Sequence, residues 1–250
     1  MDNSNFGEIM SFCDLHIHSI RSTCGFHTLF EIVSIMKGKG KEAFALTDHS
    51  PALGTPNSHF SVLLRRVPPV IDGIRVFKGI EASVLNADGD IDISLFKDFP
   101  YEIILAGLHN HGVYENPQGK NMNTRALINA MKKNPSIKLI THPYFELFPV
   151  DMDAITDAAI ETGTALEVNN SYLLNNKADT DSLALMLELA KKKGTPLVVN
   201  SDGHVYNEMG EFDLAEKFMA PYDIDILNIV NRNFESTLEF LELEKLPVFA

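Results

Sequence analysis

His16 and His18 form a His-x-His pair directly after the apolar run Ser11-Phe12-Cys13. Side chains alternate along a strand, so both imidazoles point to one face at a strand end, where they can hold a metal ion. The arrangement recurs. His49 in Thr47-Asp48-His49, Glu81, His109, His142, Asp202 and His204 also stand where an apolar, β-branched run stops. Six of the nine histidines fall at such stops. Each His alone reads more simply as a packed or solvated residue; as a set they point to metal. Imidazole and carboxylate ligands suit Zn, Mn, Fe or Co. One ion takes about three or four protein ligands, so these residues suffice for two divalent ions sharing a carboxylate, and Glu81 is the natural bridge. A third ion is accommodated if a loop residue joins.

The runs that carry these residues read as strands. Ala43–Leu46, Ile74–Ile80, Ile103–Ala106, Ile137–Ile140, Ala165–Val168 and Pro196–Val199 follow the first one. Between them the spacing predicts helices: one capped by Thr28 and ended by Gly38 and Gly40, one from Thr124 to Lys133 capped by Asn123, one capped by Asp151 or Asp153 and ending near Gly163, and one from Ser182 to Lys193. Two more helical stretches follow near Asp213–Met219 and Phe234–Leu243. Strands alternating with helices imply a parallel sheet with right-handed crossovers, whose functional groups gather at the C-terminal strand ends. The expected architecture is a single-domain, barrel-like α/β fold over residues 1–250 with seven strands rather than eight, residues 1–10 being a flexible tail.

The chain has 250 residues, 45% of them hydrophobic, enough for a full core. Its formal net charge of −13 disfavours a nucleic-acid track or an anionic membrane surface, but says little about a small phosphorylated substrate near bound cations. No apolar run approaches the roughly 20 residues of a membrane span, and residues 1–10 lack the pattern of a signal peptide. Two cysteines, Cys13 and Cys24, make no disulfide scaffold. A soluble, cytoplasmic protein is expected, and a homo-oligomer is compatible with the sequence.

Asp14-x-His16-x-His18, Thr47-Asp48-His49, Glu81, His109, Thr141-His142-Pro143 and Ser201-Asp202-x-His204 resemble the motifs of the PHP (polymerase and histidinol phosphatase) family. The spacing is most similar to the small stand-alone bacterial members, and the likeness runs from about Phe12 to Leu243. The resemblance implies a distorted TIM-like (β/α)7 barrel with a trinuclear metal site at the C-terminal ends of the strands. It also implies three ligand groups: His16, His18, Glu81 and Asp202; Glu81, His109 and His142; and His49 and His204 with one residue from the loop after His18. Within these, Glu81, Asp202 and His204 fall to the chemistry itself. Family members usually place a His where this chain has Cys24, with His27 three residues on; either can ligate, and Cys24 is slightly favoured. Asp14 and Asp48 are candidates to take the second N–H of a metal-bound His, whereas Glu167 reads first as structural.

Arg21, His59 and His111 lie in loops expected to rim the mouth and are candidate substrate contacts, although an ordinary loop role is the simpler reading of each. Phe60 and Tyr144 are candidates to shape the pocket. The expected reaction is hydrolysis of a small phosphomonoester, as in histidinol phosphatases, by metal-activated hydroxide. A phosphodiesterase or 3′-exonuclease of the polymerase-associated type is the first rival, disfavoured by acidity and the lack of a basic, aromatic-studded channel. A non-catalytic metal-binding regulatory module is the second.

Overall fold

The computed structural model describes residues 12–53, 64–93, 99–110, 114 and 118–246. His59, Phe60 and His111 lie outside the described residues. Seven parallel strands follow one another around a barrel: β1 (Asp14–Ile17), β2 (Ala43–Leu46), β4 (Ile74–Ser83), β5 (Ile103–Gly107), β6 (Ile137–Ile140), β7 (Ala165–Asn169) and β8 (Leu197–Asn200). The short β3 (Val70–Ile71), absent from the sequence reading, pairs antiparallel with β4. The Asp72-Gly73 turn between them places both residues at positive φ, so β3 and β4 form a tight hairpin.

The helices lie outside: α1 (Leu29–Gly38), α2 (Lys120–Lys133), α3 (Met152–Thr162), α4 (Asn170–Leu174), α5 (Thr180–Lys193), α6 (Asp213–Met219) and α7 (Phe234–Leu241). Thr28 and Glu31 form a capping box at the start of α1, and Asp151 caps α3. Asn123 is not the cap of α2, which begins three residues earlier after Gly119. Its amide is fully buried, accepting from the Tyr114 hydroxyl (3.1 Å) and donating to the Pro149 carbonyl (3.0 Å). A polar side chain with buried partners on both sides is stabilised inside a helix despite its preference for caps. The five-residue helix α4 was also unforeseen; Asn169 caps it by accepting from the Tyr172 N–H.

The core has two layers. Outward side chains such as Phe44, Val76, Ile80, Ile140 and Val168 pack beneath the helices. Inward ones, among them Leu15, Ala45, Phe77, Leu105, Leu139, Ala165 and Val198, fill the barrel, and Leu238 and Leu241 of α7 join them. Further along several strands the inward positions turn polar: Phe77 is followed by Gly79 and then Glu81, Ala165 by Glu167, and Val198 by Asn200. The apolar fill thus forms the floor on which the polar mouth stands.

The barrel closes unevenly. Ile17 bridges to Gly203, and the Leu15 N–H donates to the Asn200 side chain. Below that, residues 229–231 wedge between β1 and β8. Cys13 N–H donates to the Asn231 carbonyl, and the Asn231 amide bonds both backbone groups of Val199 and the Cys13 carbonyl. One buried amide therefore replaces the missing ladder at the seam.

Candidate metal centre

The first site residues owe their direction to a slip in β1. Asp14 pairs with Phe44 and Ile17 with Leu46, so Leu15 and His16 together face Ala45. A bulge of this kind aims successive side chains to one side. Leu15 then joins the barrel floor while His16 and His18, both wholly buried, reach the mouth.

Glu81, on β4, stands at the centre. Its Oε2 lies 3.3 Å from His16 Nε2, 3.4 Å from His18 Nε2 and 2.7 Å from His49 Nδ1. Its Oε1 lies 2.9 Å from His109 Nε2 and 3.4 Å from His142 Nε2. Asp202 Oδ1 is 3.5 Å from His16 Nε2 and 3.1 Å from His18 Nε2. Gly107 makes room for this crowding: a Cβ there would stand 2.2 Å from Thr141 Oγ1 and 3.2 Å from the His142 ring. His142 and Asp202 both hold left-handed backbone, at φ +33° and +52°. Such conformations cost on the order of 1–3 kcal/mol each and persist where the surroundings impose them; for His142 one such partner is Glu167, whose Oε2 accepts its N–H at 2.9 Å.

Four buried ligand atoms have no well-aligned hydrogen-bond partner among the described residues: His16 Nε2, His18 Nε2, His49 Nδ1 and Glu81 Oε2. Leaving such atoms unsatisfied is expensive, and here all four face one another. His16, His18 and Glu81 form one potential metal-ligand set, His49, Glu81 and His109 a second, and His18, Cys24, His49 and His204 a third. The residues present fit divalent ions.

The second ring nitrogens are held from outside. His16 Nδ1 meets Glu167 Oε1 at 2.8 Å, His18 Nδ1 meets Ser22 Oγ at 3.0 Å, and His109 Nδ1 meets Ser83 Oγ at 3.3 Å. His204 Nδ1 donates to the Asp202 carbonyl at 2.8 Å. Burial opposes ionisation of Glu81, but His16, His49 and His109 outweigh it and hold the carboxyl well below its usual range. For His49, burial is overcome chiefly by Glu81, which raises the ring to about 10. Burial, reinforced by His204 and His49, keeps His18 neutral-leaning, well below its ordinary value. Burial also resists ionisation of Cys24, yet hydrogen bonds to His204 and His49 bring the thiol down to about 7.

A pocket of about 280 Å³ opens above this cluster, lined by His49, Glu81, His109, His142, Asp202 and His204. The Tyr172 ring stacks on His142 at 4.2 Å and 9°. Lys177 stands at the rim, its Nζ 5.4 Å from the Tyr172 ring, and is the one Lys or Arg among the described lining residues.

No protein-family model matches the chain. Over 232 residues the chain is 38% identical to a probable phosphatase of Shewanella halifaxensis, covering 91% of each. It belongs to this family of probable phosphatases. Among solved structures, a histidinol phosphate phosphatase of Lactococcus lactis complexed with zinc, L-histidinol and phosphate matches with a TM-score of 0.63 at 14% identity, over 86% of this chain and 94% of that one. A histidinol phosphatase proposed for Listeria monocytogenes matches at 0.55 and 15%, over 79% and 97%. At such identities the likeness shows a shared barrel, not a shared activity.

Several expected residues of this family member sit elsewhere than expected. Among the described residues, neither Asp14 nor Asp48 hydrogen-bonds an imidazole nitrogen. Asp14 accepts from Ser201 N–H and Oγ–H and from Gly210 N–H, tying down the loop after β8. Asp48 accepts from Ser19 N–H, Ser19 Oγ–H and Ser22 Oγ–H, shaping the turn after β1. Glu167, read first as structural, is the carboxylate that meets His16. Arg21 lines a separate cavity with Thr28, Leu29, Leu64 and Val67, because the turn Ile20–Ser22 points Ser22 inward and Arg21 away. His27 lies 4.0 Å from Glu31, outside the ligand sets, whereas Cys24 is inside one. Tyr144 is buried and packs, with its hydroxyl accepting from Asn169 N–H. Lys177 and Tyr172 gave no signal in the sequence, since neither ends a strand.

Proposed function

We propose that the chain is a PHP-type phosphatase that hydrolyses a small phosphomonoester with two or three divalent ions at the mouth of its barrel. The observation that carries this reading is the convergence of His16 Nε2, His18 Nε2 and His49 Nδ1 on Glu81 Oε2, all four buried and without a well-aligned hydrogen-bond partner among the described residues. Membership of a family of probable phosphatases supports it, as does the barrel shared with histidinol phosphatases.

In this reading His16, His18, Glu81 and Asp202 hold the first ion, and Glu81, His109 and His142 the second, with Glu81 shared. His49 and His204 belong to a third. Bound divalent cations supply Lewis-acid stabilisation of phosphoryl oxygens and a more acidic water. The chain prepares for them: Glu81 is held ionised by its imidazoles, and Glu167 keeps the proton of His16 on Nδ1, which leaves Nε2 as the free lone pair. Lys177 offers the entering phosphate a cation at the rim, and the stacked His142–Tyr172 pair forms a flat wall for the rest of the substrate. A pocket of this volume with one cationic side chain in its lining suits a small molecule better than a polynucleotide.

The test is phosphate release from an aryl phosphate and from histidinol phosphate, before and after chelation and with Zn, Mn, Fe or Co restored. Activity that chelation abolishes and metal restores is expected. Absence of phosphate release from every substrate in every metal-loaded form would refute the reading.

A further inference from the structure

We infer that the third metal position is a thiolate site, in which Cys24 joins His49 and His204 and makes the position selective for a thiophilic ion such as zinc. The inference rests on the metal-dependent reading above and concerns the loop residue Cys24.

One ligand atom each of Cys24, His18, His49 and His204 lie within 4.8 Å of one another. His18 is committed elsewhere. Its Nδ1 meets Ser22, and its remaining Nε2, buried and without a well-aligned hydrogen-bond partner among the described residues, sits 3.4 Å from Glu81 and 3.1 Å from Asp202. Cys24 and His204 are left, together with His49, which both sets share because its Nδ1 also faces Glu81 at 2.7 Å. The Asp202 carbonyl can only accept, so the His204 proton sits on Nδ1 and its Nε2 is free to ligate.

The position of Cys24 is built into the backbone. Thr23 turns the chain in the left-handed region, at φ +63°. At Gly25 a Cβ would stand 2.2 Å from the Ser19 carbonyl, so only glycine lets the loop lie against the end of β1. Phe26 N–H then donates to the His204 carbonyl at 3.0 Å, and Ile20 N–H to the His27 carbonyl at 2.8 Å. Cys24 is thereby clamped between the backbones that carry His18 and His204.

A thiolate with two imidazoles is a soft donor set. It suits zinc or cobalt, whereas manganese and magnesium prefer oxygen ligands. Three protein ligands also leave a fourth position open, as in catalytic rather than structural zinc sites.

The test uses the full chain, stripped of metal and titrated with Co(II), alongside C24S and C24H. The readouts are the near-ultraviolet thiolate-to-cobalt absorption band and the number of ions retained after gel filtration. The wild type should show the band. C24S should lose it together with one bound ion. C24H should lose the band, keep the ion count, and bind manganese about tenfold more tightly relative to zinc. C24H retains a ligand and serves even if C24S folds poorly. A wild-type protein that binds cobalt and releases phosphate without the band overturns the thiolate site and leaves the phosphatase reading intact. An unchanged ion count in folded C24S also overturns it. A chain that binds no cobalt at all overturns both.

Discussion

Replacing Glu167 with glutamine isolates one role of the outer carboxylate, because shape and volume are kept. Glu167 is wholly buried and faces four donors. Oε1 accepts from His16 Nδ1 and Asn200 Nδ2, both at 2.8 Å; Oε2 accepts from His142 N–H and Asn169 Nδ2, both at 2.9 Å. Glutamine has one acceptor oxygen, so either orientation leaves two of these donors facing an NH₂ group. The asparagines cannot simply rotate, since Asn200 Oδ1 accepts from Leu15 N–H and Asn169 Oδ1 from Tyr172 N–H. His16 can escape only by moving its proton to Nε2, which removes the lone pair that faces Glu81 and Asp202. At about 1–3 kcal/mol for each orphaned buried donor, the substitution costs roughly 2–6 kcal/mol. That corresponds to a melting point lower by at least about 4 °C in a chain of this size. Loss of the outer partner should also weaken metal binding or activity about 10–100-fold. Differential scanning calorimetry and competitive metal titration measure the two effects separately. E167Q melting with the wild type and binding metal equally tightly would refute the reasoning.

Lys177→Ala should raise KM for an aryl phosphate about fivefold with little change in kcat, since a rim cation contributes about 1 kcal/mol; a fall in kcat alone would place Lys177 elsewhere in the reaction. Asn231→Ala breaks the seam of the barrel at a wholly buried amide with three backbone partners, and should lower stability by about 2–4 kcal/mol in urea titration while leaving metal stoichiometry unchanged at low temperature. Restoring metal to the stripped protein should stabilise it by about 2.7 kcal/mol at one hundred times Kd, read as a rise in melting point; no rise with any of Zn, Mn, Fe or Co would count against metal binding by the folded chain.

Elements and strand-end residues were legible because both are coded over a few positions. Apolar runs such as Ala43–Leu46 and Ile137–Ile140 are strands as read, and the period-2 step from floor to mouth carries Glu81 inward without any knowledge of the fold, whereas Asp202 lies past the end of β8 on left-handed backbone. The error at Asn123 has the same root. Its cap preference is local, but its burial against Tyr114 and Pro149 depends on which segments later pack there.

By itself, then, the order of residues determined the seven barrel strands, the sheet's parallel sense and the chemistry at its rim. Tertiary structure alone decided who serves whom: that His16 leans on Glu167, 151 positions away, that Asp14 and Asp48 hold loops instead of imidazoles, that Arg21 lines a separate cavity while Lys177 lines the pocket above the cluster, and that Asn231 closes the barrel. The reason is physical. Periodicity and capping act through neighbours along the chain, whereas a buried polar atom is satisfied by whatever donor the packed barrel brings within about 3 Å.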